Sequence, residues 1–233
     1  MNPHGERILH SLQEVAAERA RRLADPVLAG RVRAVKRYQH TRFQRTYADL
    51  LAHARYARAA QFFLDDLYGP EDFTRRDEQF GRVVPGLVRM FPKEIVGTVE
   101  SLGELHALSE QFDSAMGATI ATLPLGDADY ARAWRTIGRP ADRERQIALM
   151  LAVGTALDRY TRNPLLRTSL RLMRAPAAAA GLGALQGFLE RGFDTFRDMR
   201  GASEFLDTVA TRERELAARL FAGGLVSGSD MPA

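Results

Sequence analysis

The sequence predicts an all-α protein of about ten helices, packed as one globular orthogonal or bundle-like domain. Three observations support this prediction. Apolar residues recur at helical spacing through most of the 233 residues, alternating runs of β-branched residues are missing, and Pro or Gly separates the helical segments. With 45 % hydrophobic and 27 % charged residues, a chain of this length can form a substantial core.

The helix boundaries follow from Pro, Gly and capping residues. Asp72 or Thr74 can cap the helix that ends before Phe91, and Pro85 is predicted to kink or split it. The other predicted helices cover about residues 6–24, 27–52, 55–68, 92–122, 127–137, 140–162, 163–174, 176–200 and 203–221.

These segments predict one domain over residues 5–222. The Leu-Pro-Leu-Gly-Asp stretch at 123–127 is the place where the chain can divide into two subdomains. Residues 223–233 are rich in Gly, Ser, Asp and Pro, so we expect a frayed tail there.

Composition excludes several functions and points to a compartment. The chain has no Cys, which rules out disulfides, iron–sulfur clusters and thiol catalysis. No apolar segment follows Met1–Arg7, and no uncharged run reaches the roughly 18–20 residues of a membrane span. We therefore expect a cytoplasmic protein without a membrane partner. The net charge is +4, and residues 1–60 hold 12 basic and 5 acidic residues.

Catalytic and metal-binding motifs are missing. No His lies three residues after Glu or four residues before another His, and neither a phosphate-binding loop nor a Gly-x-Ser-x-Gly elbow is present. Asp65 and Asp66 form an acidic pair, but Gly69 stands where isoprenoid synthases carry a third acid. We therefore predict no catalytic residues, no metal ligands and no cofactor. An enzyme that uses Asp65, Asp66 or Glu104 stays open, without a motif to support it.

One functional hypothesis concerns His106. It shares the apolar face of the predicted helix 92–122, and Glu110 follows one turn later. A His oriented by a carboxylate can bind haem or act as a base, although a lone His on an apolar face is far more often a hydrogen-bonded core residue. This hypothesis is a helical pocket protein that binds a hydrophobic ligand or haem through His106, Glu110 and Tyr68.

A second hypothesis concerns the basic segment 31–45. On a helix, Arg31, Arg42 and Arg45 lie on one flank of an apolar stripe, while the remaining basic residues lie on another flank. The first three form a candidate anion-binding surface. Nucleic-acid binding is disfavoured, because it prefers a single basic face.

The leading hypothesis is a non-catalytic interaction or regulatory protein. Gly181, Gly183, Gly187 and Gly192 indicate close approach of another helix, of a dimer partner or of a ligand. The segment 203–221 is amphipathic. A homodimer through helix 177–200 or helix 203–221 is therefore predicted.

Two segments carry a family resemblance. The string Gln-Phe-Phe-Leu-Asp-Asp-Leu-Tyr-Gly-Pro-Glu-Asp-Phe at 61–73 and the later Gly-Phe-Leu-Glu-Arg-Gly-Phe at 187–193 resemble a family of uncharacterised, all-helical proteobacterial proteins. The resemblance covers most of the chain and implies a bacterial, cytoplasmic protein. It implies no activity and no functional residues.

Overall fold

The computed structural model describes residues 3–67 and 73–226, and it confirms the all-α prediction. All regular structure in these two ranges is helical. The twelve α-helices found there are α1 Pro3–Ala24, α2 Pro26–Thr46, α3 Ala48–Ala52, α4 Ala57–Phe62, α5 Thr74–Met90, α6 Lys93–Thr119, α7 Asp127–Ile137, α8 Pro140–Thr161, α9 Pro164–Leu172, α10 Arg174–Ala179, α11 Gly183–Asp198 and α12 Ser203–Phe221. A π-helical turn, Phe63–Leu67, continues α4.

Two helix starts show how the sequence sets the boundaries. The Asp25 side chain accepts hydrogen bonds from the backbone N–H groups of Val27 and Leu28, both at 3.0 Å, and Pro26 opens α2. Asn163 caps α9 in the same way, and Pro164 follows it. In both cases the cap satisfies N–H groups that the helix leaves without partners, and proline needs none.

Helix α6 lies at the centre of the fold. It packs against α1, α2, α7 and α8, while α11 and α12 pack on α8. Close approach depends on two glycines. A Cβ at Gly117 of α6 would lie 2.6 Å from Val32 of α2, and one at Gly154 of α8 would lie 2.6 Å from Leu206 of α12. A larger residue at Gly117 would crowd both the side chain and the backbone of Val32, whereas one at Gly154 would have to displace the Leu206 side chain.

The core around α6 has three groups of buried side chains. The largest, which includes Phe43, Phe63 and Phe196, joins α2, α4 and α8 to α11 and α12. A second, with Tyr130 and Trp134, joins α7 to α2, α6 and α12. The third joins α1, α5 and α6.

Some helix predictions were wrong. The predicted helix 27–52 divides at Tyr47, which is fully buried and whose hydroxyl donates to Glu213, 2.7 Å away on α12. The predicted helix 176–200 divides before α11, where Gly181 has a φ of +70° that favours glycine. Conversely, α5 continues through Pro85 without a break.

The predicted break at 123–127 separates α6 from α7. The Leu123–Pro124 peptide bond is cis. Helix α7 then packs against α6 and α12, so the chain returns to the same core. Asp72 and residues 227–233 of the predicted tail lie outside the described residues. Within the described ranges, no helix is long and apolar enough to cross a membrane.

Candidate functional site

A cavity of about 210 Å³ lies among the central helices. Apolar side chains of α5, α6 and α11 form what we term its apolar end: Phe80, Val83, Leu87, Val99, Leu102, Leu185, Phe188 and Leu189. Polar side chains of α2, α6, α7, α8 and α12, together with one tryptophan, form its polar end: Lys36, Gln39, Arg42, Glu110, Asp113, Tyr130, Trp134, Arg143 and Glu213.

The packing of the helices separates these two ends. Helix α5 packs against α11, whereas α7 packs against α6 and α12. Leu189 of the apolar end is 42 % exposed, so part of the lining of this end lies at the protein surface.

His106 lines the cavity and is held by an acidic partner. Its Nε2 lies 2.7 Å from Oδ2 of Asp77, which also accepts a hydrogen bond from Arg19 at 2.7 Å. Burial raises the pKa of Asp77. The hydrogen bond from His106 and the charges of His106, Arg76 and Arg19 outweigh this effect and lower that pKa to about 2. Asp77 is therefore an ionised carboxylate that fixes the imidazole at the cavity wall.

Glu110 is the best-paired carboxylate of the polar end. It is 3 % exposed, and its two oxygens accept hydrogen bonds from Arg22 and, at 2.7 Å, from Lys36. Burial raises the pKa of Glu110, but the charges of Lys36 and Arg22 lower it to about 2. Arg22 also donates to Ser114 at 3.1 Å. Glu110 is therefore the acid that Arg22 and Lys36 share.

The pKa of Asp113, one turn after Glu110, is shifted in the opposite direction. Its Oδ1 accepts a hydrogen bond from Gln39 at 3.1 Å, and Lys36 lies 3.7 Å from Oδ2. Burial raises the pKa of Asp113, and the charge of Lys36 only partly opposes that rise. Ionisation of Asp113 is therefore less favourable in the folded protein than in water, whereas ionisation of Glu110 is more favourable.

Arg42 points into the core from α2. It is 6 % exposed and its Nη1 donates to Glu213, which also accepts a hydrogen bond from the Tyr47 hydroxyl. Burial lowers the pKa of Arg42, but the charge of Glu213 outweighs burial and raises it. The Nε of Arg42 is buried and has no hydrogen-bond partner.

An aromatic group completes the polar end. The guanidinium carbon of Arg143 lies 3.5 Å from the ring centroid of Phe112 and 3.7 Å from that of Trp134. Arg143 also donates to Gln146 at 3.2 Å. The Nε1 of Trp134 is buried without a hydrogen-bond partner, although the side chain lines the cavity. This end therefore presents cationic and N–H groups against aromatic faces.

The predicted pocket residues can now be located. His106 and Glu110 both line the same cavity, but each has its own partners: Asp77 for His106, and Arg22 and Lys36 for Glu110. The prediction that Glu110 holds His106 is therefore wrong, because a closer acid reaches the imidazole from α5. Tyr68 lies outside the described residues.

The predicted anion surface is not formed as expected. Arg42 is buried and paired with Glu213, whereas Arg45 is exposed and Arg31 is half-buried with its guanidinium 3.5 Å from the Ala121 carbonyl oxygen. The prediction that Arg42 lies with Arg31 and Arg45 on one flank of α2 was wrong, because the Arg42 side chain points toward Glu213 of α12.

The helices proposed for dimer formation have their apolar faces inside the protein. Phe205, Val209, Leu216 and Leu220 of α12 are buried, as are Phe188 and other apolar residues of α11. The expected close approach at a glycine occurs at Gly192, where a Cβ would lie 3.1 Å from the Phe62 ring. A homodimer stays a prediction, and these two faces do not supply its interface.

Sequence reasoning missed most of the polar end. Gln39 falls close to Val32 and Phe43 on the apolar stripe of α2, and a polar residue in such a stripe is a signal of a buried polar site. The sequence did not indicate the roles of Trp134 and Arg143. Arg143 contacts the rings of Phe112 and Trp134 only because α6, α7 and α8 pack together.

The fold and the cavity define a class, namely an all-helical protein with a partly charged internal cavity. Comparison with known protein families matches residues 18–225 to the domain of unknown function DUF8198, and the chain belongs to that family. No curated protein and no solved structure matches the chain. Among the described residues, no group of three or more His, Cys, Asp or Glu is placed to hold a metal ion.

Proposed function

We propose that this protein binds a small molecule inside the cavity between α2, α5, α6, α7, α8, α11 and α12. The observation that carries the proposal is the cavity itself, about 210 Å³ with an apolar end and a polar end. Binding sites for small molecules share this design, because apolar walls supply affinity and a few polar groups fix orientation. His106 is one such polar group.

The size of the cavity argues against a packing defect. Protein interiors are close-packed, and voids larger than a water molecule are few. A space of 210 Å³ is far larger than one water molecule needs. A bound molecule restores the missing contacts.

The same volume sets the size of the molecule. An engineered cavity of about 150 Å³ binds benzene, whereas drug-sized ligands occupy roughly 300–1,000 Å³. The cavity of 210 Å³ therefore suits one ring with a short substituent, or a short aliphatic chain. This size argues against haem, and so does the engagement of His106 Nε2 by Asp77.

Toluene is a direct probe of the proposal. A compound present at about 100 times its Kd stabilises a protein by about 2.7 kcal/mol, which raises Tm by roughly 5–10 °C in a chain of this size. Trp134 is the single tryptophan and lines the cavity, so its fluorescence gives a second readout. We expect toluene to raise Tm and to change the Trp134 emission.

Matched variants separate cavity binding from surface effects. Val83→Phe adds volume at the apolar end, whereas Val27→Phe makes the same change at a residue that is 63 % exposed. We expect Val83→Phe to abolish the toluene response and Val27→Phe to preserve it. A wild-type protein with no response, or equal responses in both variants, contradicts the proposal.

Native mass spectrometry of protein purified from its own host addresses the natural compound. We expect an adduct whose mass fits a molecule of about one ring, and we expect the Val83→Phe protein to lack it.

A further inference from the structure

Two buried N–H groups at the polar end of the cavity lack acceptors. Arg42 is 6 % exposed and Trp134 is 9 % exposed, and both side chains line the cavity. Arg42 uses Nη1 for Glu213, but its Nε has no hydrogen-bond partner, and neither has Trp134 Nε1. A buried donor without an acceptor costs free energy, so native proteins rarely leave one.

Both donors belong to one neighbourhood. The Trp134 and Tyr130 ring centroids are 6.2 Å apart, and the charges of Arg42 and Arg143 both act on the buried Tyr130 hydroxyl. The Arg143 guanidinium stacks 3.7 Å from the Trp134 ring centroid. Arg42, Arg143 and Trp134 therefore lie in one neighbourhood around Tyr130, and all four residues line the cavity.

The acids near this neighbourhood already have partners. Glu213 accepts from Arg42 Nη1 and from the Tyr47 hydroxyl, and Asp113 accepts from Gln39. These carboxylates do not satisfy Arg42 Nε or Trp134 Nε1. An acceptor carried by a ligand can do so, and a cationic ligand would bring further donors to a place that needs acceptors.

We propose that the molecule bound in the cavity is a small carboxylic acid, whose carboxylate accepts hydrogen bonds from Arg42 Nε and Trp134 Nε1 while its apolar body fills the space toward α5 and α11. This inference rests on the proposed function and adds the chemical class of the ligand. Guanidinium groups suit carboxylates because the charge strengthens each hydrogen bond.

Three compounds with similar bodies test the head group. Phenylacetate carries the carboxylate, 2-phenylethanol is neutral, and benzylamine is cationic. We expect isothermal titration calorimetry to give phenylacetate an affinity about tenfold or more above that of 2-phenylethanol, because a charge-assisted hydrogen bond is the stronger kind. We expect benzylamine to bind most weakly.

Trp134→Phe removes the indole N–H and keeps an aromatic ring beside Arg143. We expect this variant to bind phenylacetate about tenfold more weakly and 2-phenylethanol almost unchanged. Arg42→Lys keeps the positive charge opposite Glu213 and is expected to weaken phenylacetate selectively as well. Arg45→Lys, the same change at an exposed residue of α2, is the control and should have no effect.

The outcomes separate the two proposals. Selective loss of phenylacetate binding in Trp134→Phe supports the carboxylic acid. Equal affinity for phenylacetate and 2-phenylethanol, with no effect of Trp134→Phe, overturns the carboxylic acid and leaves small-molecule binding intact. A protein that binds neither toluene nor any of the three compounds overturns both.

Discussion

The two ends of the cavity are built on different principles. At the apolar end, the apolar side chains of α5 and α11 need only contact, so many molecules of the right size suit them. At the polar end, Glu110 and Glu213 neutralise buried cations, yet Arg42 Nε and Trp134 Nε1 stay without acceptors. In the proposed binding site, this comparison assigns affinity to the apolar end and selectivity to the polar end.

The largest effect is expected at Glu110. Glu110→Gln removes the counter-charge that the largely buried Arg22 and Lys36 share and leaves Lys36 with Asp113, 3.7 Å away. Removing one partner of a buried ion pair typically costs about 3–5 kcal/mol. Urea unfolding at neutral pH measures the loss. The control is Glu104→Gln, because Glu104 pairs with Arg145 at the surface and such pairs contribute about 1 kcal/mol or less.

Equal losses of stability in Glu110→Gln and Glu104→Gln would contradict the expected difference between buried and surface ion pairs. They would mean that the buried pairs of the polar end are as well hydrated as surface pairs.

A smaller loss is expected at the apolar end. Leu185→Ala removes a side chain that is 8 % exposed, and Leu-to-Ala changes in cores cost about 2–5 kcal/mol. We expect the lower part of that range, because one side of Leu185 already faces the cavity. Thermal or urea unfolding measures it. Leu165→Ala, at a residue that is 73 % exposed, should change stability by about 0.5 kcal/mol or less.

Unlike Glu110→Gln, Leu185→Ala should also widen the accepted range of ligands. An aromatic compound larger than toluene, such as naphthalene, is expected to bind this variant more tightly than the wild-type protein. Reduced binding of every compound would show that Leu185 contributes more than volume.

Lowering the pH should reduce the free energy of unfolding by an intermediate amount, because Asp77 and Glu110 become protonated. The pKa values of Asp77 and Glu110 are lowered to about 2 from their ordinary 3.8 and 4.5. A lowered carboxyl pKa stabilises the folded state above the unfolded value, and that stability is lost as pH falls through the folded value. Stability should therefore decrease between pH 4.5 and about 2, by on the order of 2–3 kcal/mol for each of the two carboxyl groups.

Urea unfolding across this pH range tests the prediction. The Glu110→Gln protein should show a flatter dependence, because one of the two titrating groups is gone. An unchanged slope would place the acid sensitivity elsewhere in the protein.

The sequence predicted the helices better than the site. Caps such as Asp25 and Asn163 act within one turn, so residues next to each other determine them. The division of α2 from α3 depends on Tyr47 and Glu213, which are 166 positions apart in sequence. Contacts of that kind follow from tertiary packing, which helical periodicity does not encode.

The cavity shows the same limit. Periodicity placed His106 and Glu110 on the inner face of α6, and both line the cavity. It could not assign their partners, because Asp77 and Lys36 come from helices whose neighbours are fixed only in three dimensions. Arg42 was misplaced for the same reason.

The smallest effect, and one of opposite sign, is expected at Asp113. Burial raises the pKa of this carboxyl, and Lys36 is shared with Glu110, so its charged form is held at a cost. Asp113→Asn removes the charge and retains an oxygen that accepts from Gln39. We expect a stability change at pH 7 of about 1 kcal/mol or less, toward greater stability.

The pH dependence gives the sharper test of Asp113. Because its pKa is raised, the wild-type protein loses stability as pH rises through the folded value, and the Asn variant does not. The advantage of Asp113→Asn in urea unfolding should therefore be largest at neutral pH and shrink as pH falls toward 3.8, the ordinary carboxyl value. A loss as large as that of Glu110→Gln would show instead that Lys36 needs both acids. The polar end would then be one coupled network, in which Glu110 and Asp113 contribute equally.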